Sequence, residues 1–124
     1  KVIYCIGESL NDKENGNTYM TLEKQISEVL NNVELKGIMI AYEPVWAIGS
    51  GIIPTTKEIK ENIGFIKDII EDKYDIKLKV LYGGSVNSDN IGELNTIKNV
   101  DGFLVGGAST NIDSLESILI ELEK

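Results

Sequence analysis

The chain has 124 residues, 42% of them apolar and 26% charged, a composition that suits one globular domain with a modest core. Its net charge of −8 comes with twelve lysines and neither arginine nor histidine, so there is no basic stripe for nucleic acid and no imidazole for proton transfer or metal binding. A single cysteine, Cys5, excludes an internal disulfide and suits a reducing, cytoplasmic setting, and no apolar run approaches the roughly 20 residues needed to cross a bilayer.

Val2 to Ile6 is a nearly continuous apolar run and reads as a buried strand. Lys1 is not an initiator methionine, and a strand this close to the start leaves no loose terminal residues, so the start reads as a cut through a larger protein. Leu22, Ile26, Val29, Leu30 and Val33 share one helical face. A second strand follows at Ile38 to Tyr42, and then a second helical stripe of Ile59, Ile63, Ile66, Ile69 and Ile70. Thr55, with Glu58 three residues later, forms a candidate capping box for that helix. Leu78 to Tyr82 is the third strand, and Ile91, Leu94 and Ile97 suggest a short third helix. Phe103 to Val105 is the fourth strand, followed by Ile112, Leu115, Ile118, Leu119 and Leu122 on a fourth helix.

Strand starts lie 36, 40 and 25 residues apart, one β-α unit each, which predicts an α/β fold with a parallel sheet and right-handed crossovers. No linker or low-complexity tract interrupts residues 1–124, which read as one domain. Four such units make either a small open sheet or half of an eight-stranded barrel.

In both architectures ligands bind beyond the C-terminal ends of the strands. Those segments are Gly7-Glu8-Ser9, the stretch from Glu43 to Gly51, Gly83-Gly84-Ser85 and Gly106-Gly107-Ala108-Ser109. Glycine pairs let backbone N–H groups approach an anion closely and make positive φ cheap, and a following helix start adds its own N–H groups. One such pair is explained by turn geometry alone, whereas two in neighbouring turns favour a phosphate site. Glu43 ends an apolar strand beside Pro44, and cover by Trp46, Ile48 and Gly49 would desolvate its carboxylate toward the range of a general base. The run from Pro44 to Thr56, with its Gly-Ser-Gly middle, has the makeup of a lid. Cys5 has no histidine or second cysteine beside it and reads as a buried structural thiol. Glu8 reads equally as a second active-site carboxylate or as a structural ion-pair partner.

These residues resemble a family. AYEPVWAIGSG, from Ala41 to Gly51, is similar to the signature of triosephosphate isomerase. CIGE from Cys5 to Glu8, YGGSV from Tyr82 to Val86 and DGFLVGGAS from Asp101 to Ser109 resemble the same family's later strand ends, in order and spacing. The resemblance covers essentially the whole chain and implies the fifth to eighth units of a (β/α)8 barrel. It implies an enzyme without metal or cofactor, normally a cytoplasmic homodimer of glycolysis and gluconeogenesis, that interconverts dihydroxyacetone phosphate and D-glyceraldehyde 3-phosphate. It implies Glu43 as the catalytic base and Gly49, Ser85, Gly106 and Gly107 as phosphate contacts. Leu104 would form a nearby wall, and Cys5 would pack close to Glu43. The mobile lid would comprise Pro44, Val45, Trp46, Ala47, Ile48, Gly49, Ser50 and Gly51, running on to about Pro54. Two departures stand out. Ile52-Ile53-Pro54 replaces the lysine and small residues of many members, and the family's asparagine–lysine pair and histidine electrophile have no counterpart here. The isolated chain is therefore expected to be inactive. Its half-barrel edges point to self-association as an alternative role, and another phosphate-binding barrel enzyme is a remote third reading.

Overall fold

Branched aliphatic residues, which lose little on entering a pleated backbone, make up half of the first two strands, β1 (Val2–Ile6) and β2 (Ile38–Tyr42). A computed structural model describes residues 1–124 and pairs these strands in parallel, from Val2 against Ile38 to Ile6 against Tyr42. β3 (Val80–Tyr82) pairs with β2, and β4 (Gly102–Phe103) pairs with β3, so the order in space follows the order in sequence. The result is an α/β fold with one open, all-parallel sheet, consistent with half of a TIM barrel.

Five helices accompany the sheet: α1 (Leu10–Glu14), α2 (Thr18–Leu30), α3 (Thr56–Tyr74), α4 (Ile91–Leu94) and α5 (Ile112–Leu122). The core lies between α2, α3 and one face of the sheet, where Leu22, Ile26, Ile59, Ile63 and Ile66 meet Ile6, Ile40, Tyr42, Val80 and Tyr82. On the other face Ile3 and Cys5 are exposed. No helix is long and apolar enough to cross a membrane.

The elements differ from the sequence expectation in several places, among them α4, which ends at Leu94 before Ile97, and α1, a helix the sequence does not suggest. β3 starts at Val80 rather than Leu78, because its pairing with β2 begins at Ile40 against Val80. β4 covers Gly102–Phe103 rather than Phe103–Val105, because it pairs with β3 only at Leu81 against Gly102 and Tyr82 against Phe103, its ladder ending with the Leu104 N–H donating to the Tyr82 carbonyl. Val33 lies beyond the end of α2 and is exposed. Only half of the expected capping box forms at α3: the Thr55 hydroxyl accepts from the Glu58 N–H at 3.1 Å, while the Glu58 carboxylate turns to Lys13 at 3.5 Å. A reciprocal box appears instead at α1, where Ser9 Oγ accepts from the Asp12 N–H and Asp12 accepts from the Ser9 N–H. With no buried residue, α1 offers no apolar period to read.

Candidate functional site

The ends of β1, β2 and β3 are knitted together at one level. Glu43 N–H donates to the Ile6 carbonyl at 2.7 Å, and Gly83 N–H donates to the Tyr42 carbonyl at 3.0 Å. This sets Glu43 at the mouth of the sheet, half-buried. Its side chain needs the glycine beside it: a Cβ on Gly83 would stand 2.8 Å from both Cγ and Oε1 of Glu43. Cys5 Sγ lies 3.6 Å from Glu43 Oε1. Partial burial, and then the Glu43 charge and hydrogen bond, hold the thiol above its ordinary pKa, so it faces the carboxylate as S–H. Cys5 is nevertheless exposed rather than buried, because the open face of the sheet carries no layer above it.

A cleft of about 560 Å³ opens above these strand ends. Glu43, Ile48, Gly49, Gly51, Ser85, Leu104, Gly106 and Gly107 all line it. The backbone N–H groups of Gly49, Ser85 and Gly106 make no hydrogen bond within the chain, which leaves three donors around one hollow on an acidic molecule. Donors of this kind hold an anion without side-chain charge. Gly49 needs its missing side chain for conformation, at φ +67°. The paired glycines of the two turns do not: none of Gly83, Gly84, Gly106 and Gly107 has positive φ, so they supply space rather than left-handed backbone.

The remaining lid residues divide into a 3₁₀ turn and an exposed middle. Pro44 is buried, and Val45, Trp46 and Ala47 form a 3₁₀ turn. The Ala47 carbonyl accepts from Ser85 Oγ at 2.5 Å, and the Trp46 carbonyl accepts from Ser50 Oγ at 3.0 Å. From Ile48 to Ile53 every residue is exposed.

The expectation that Trp46 would cover Glu43 does not hold. Trp46 does not line the cleft, and its indole Nε1–H donates to Glu8 Oε2 at 3.3 Å, with the Lys13 ammonium 4.3 Å over its ring. Glu8 is 1% exposed and forms no ion pair. It is held by neutral donors: the Tyr42 hydroxyl donates to Oε1 at 2.8 Å and lies 3.1 Å from Oε2. Burial, reinforced by the Glu8 charge, pushes the Tyr42 hydroxyl well above its ordinary pKa, so it keeps its proton. Asn62 on α3 completes the group, its Nδ2 donating to the Tyr42 oxygen at 2.9 Å.

Tyr42 and Asn62 were not singled out in the sequence. Tyr42 reads as one more apolar strand residue. Asn62 carried a signal, since it stands three residues after Ile59 and one before Ile63, a polar residue inside the apolar stripe of α3.

The model of the family "Triosephosphate isomerase" matches residues 1–122. Curated proteins of that name are similar over nearly the whole chain. One from Dehalococcoides mccartyi is 44% identical over 120 residues, covering 94% of this chain and 47% of that protein. One from Leptospira biflexa is 43% identical over 128 residues, covering 96% and 51%, and one from Neisseria meningitidis is 43% identical over 119 residues, covering 94% and 47%. The chain spans about half the length of the curated relatives it matches.

Proposed function

The chain belongs to the triosephosphate isomerase family, and on that premise we propose that it is the C-terminal half of such an enzyme, contributing the base and the phosphate grip of a cytoplasmic isomerase. The observation that carries this reading is the meeting of one carboxylate, Glu43, with the unpartnered N–H groups of Gly49, Ser85 and Gly106 in one cleft. A phosphorylated triose seated there has its phosphate on the N–H groups and its carbon skeleton toward Glu43. Glu43 removes a proton from the carbon beside the carbonyl, leaving an enediolate, and returns it to the neighbouring carbon, while the hydroxyl proton passes from the oxygen that becomes the carbonyl to the oxygen that becomes the hydroxyl, so aldose and ketose interconvert with no net gain or loss of atoms. Closing the lid over the cleft excludes water from the enediolate.

The whole protein interconverts dihydroxyacetone phosphate and D-glyceraldehyde 3-phosphate in glycolysis and gluconeogenesis, as a homodimer. The 124-residue chain alone is inactive, since the family's lysine and histidine groups that would hold the developing oxyanion have no counterpart in it. Loss of one oxyanion donor costs about 3 kcal/mol, roughly a hundredfold or more in rate. The test is turnover of D-glyceraldehyde 3-phosphate by the purified chain. Absent turnover that returns on adding the N-terminal half of a related isomerase supports the reading. Family-like turnover by the chain alone overturns the account of its inactivity.

A second reading, a self-associating half-barrel, is favoured by the exposed β1 edge at Val2 and Ile3 and by the exposed Ile112, Leu119 and Ile120 at the other end. Two copies related by a two-fold axis would pair β1 with β4 twice and close eight parallel strands. A monomer in sedimentation at micromolar concentration sinks this reading.

A further inference from the structure

We infer that Asn62 is a positioning residue for the lid, setting through the Tyr42 hydroxyl the direction of the hydrogen bonds that hold Trp46. The inference rests on the reading of Pro44 to Pro54 as a lid. Trp46 belongs to the 3₁₀ turn at the start of that segment, and its indole is fastened to Glu8 rather than to the cleft. Glu8 is a buried carboxylate without a cation, so its only compensation is the donors aimed at it. One of those, the Tyr42 hydroxyl, has a single proton and two polar neighbours, Glu8 and Asn62.

The direction of donation decides whether the group is satisfied. An amide NH₂ only donates, and with Asn62 Nδ2 on the Tyr42 oxygen the hydroxyl proton is committed to Glu8. Both carboxylate oxygens then have a donor, Tyr42 on one and Trp46 on the other. With an acceptor in place of Nδ2, two acceptors would compete for one proton, and the buried Glu8 would lose its shorter bond. Asn62 is well placed to impose this order. It stands on the 19-residue α3, one residue before Ile63 and three after Ile59, both fully buried, so its backbone is fixed by the core rather than by the lid. A residue on the outer helix layer thereby sets the first turn of the segment over the cleft.

Trp46 is the only tryptophan, which makes the test direct. The ¹⁵N–¹H indole resonance of the full 124-residue chain is recorded for the wild type, Asn62→Asp, Asn62→Leu and Tyr42→Phe, with far-UV circular dichroism as the check on folding. Asn62→Asp keeps the shape and reverses the hydrogen bond, so it is expected to move the indole resonance by at least half of the displacement caused by Tyr42→Phe. Asn62→Leu, which fills space without donating, is expected to move it less, in the same direction. In the Tyr42→Phe background neither substitution should add more than about a fifth. An Asn62→Asp resonance on the wild-type position, or an undiminished shift in the Tyr42→Phe background, overturns the inference. Where Tyr42→Phe does not fold, acrylamide quenching of Trp46 emission decides: a twofold rise in Asn62→Asp supports the inference and an unchanged value overturns it. Inorganic phosphate titrated into the wild type tests the lid separately. If phosphate leaves the indole unmoved while Asn62→Asp moves it, the lid reading falls and the Asn62 relay stands.

Discussion

β3 and the run Phe103 to Val105, which starts in β4, are neighbours of similar apolar content, yet they end in different environments. Val80, Leu81 and Tyr82 are all buried, whereas Phe103, Leu104 and Val105 are half-buried, and the helix that follows them buries only Ile118. β3 has a strand on each side and α3 across its face, while β4 has a strand on one side only. Burial therefore follows the number of neighbours an element has, not its own hydrophobicity. The centre of this sheet is a finished protein interior, and its edge is an apolar surface.

Substitutions in the two regions should separate widely. Ile66→Ala, fully buried on α3, is expected to cost about 2–5 kcal/mol in urea unfolding. Leu119→Ala, 52% exposed on α5, should stay within about 0.5 kcal/mol. Equal costs would break the comparison and mean that α5 is covered in solution by another chain. The paired tyrosines at the sheet centre sharpen it. Tyr42→Phe strips a donor from buried Glu8 and should cost about 1–3 kcal/mol. Tyr82→Phe should be neutral or slightly stabilising, because the Tyr82 hydroxyl, tucked under Gly84, has no hydrogen-bond partner.

The smallest effect concerns what holds β4. Asp101, just before that strand, accepts from Lys67 at 2.9 Å and from the Val80 N–H at 2.8 Å. Its partial burial would raise the carboxyl pKa, but these bonds outweigh it and hold the group below the ordinary range. A lowered folded pKa gives stability that is present above the unfolded value near 3.9 and lost as pH falls through the folded one. Wild type should therefore exceed Asp101→Asn in stability at pH 7, with the gap closing below about pH 4 in chemical denaturation. A gap independent of pH would show that the clip is not ionic.

Much of this architecture was legible because β-branched runs and helical stripes recur at spacings that admit only parallel pairing. β1 and β2 fall where the sequence puts them, and Thr55 caps α3 as its spacing suggests. What could not be read depends on contacts between distant segments. Tyr42 and Tyr82 are the same residue at paired positions, and nothing local says that one serves Glu8 while the other serves nothing. Trp46 was expected over Glu43 because the two are close in sequence, but the 3₁₀ turn swings its indole to a residue 38 positions earlier. Glu8 was weighed as a catalytic group or an ion-pair partner and is a buried acceptor of neutral donors, a third state that composition does not suggest.

The pairing thins steadily along the sheet, from five residue pairs between β1 and β2 to three between β2 and β3 and two between β3 and β4. Segments held by fewer ladder bonds open at lower free energy than the molecule as a whole. Amide hydrogen exchange should thus run fastest in β4 and α5 and slowest in β2 and α3. Gly106 and Gly107 lie in the fast zone and Glu43 in the slow one, so the cleft has a rigid floor and a wall that breathes. An anion caught by the wall would draw its own grip into order, and protection would rise most at the residues that touch it.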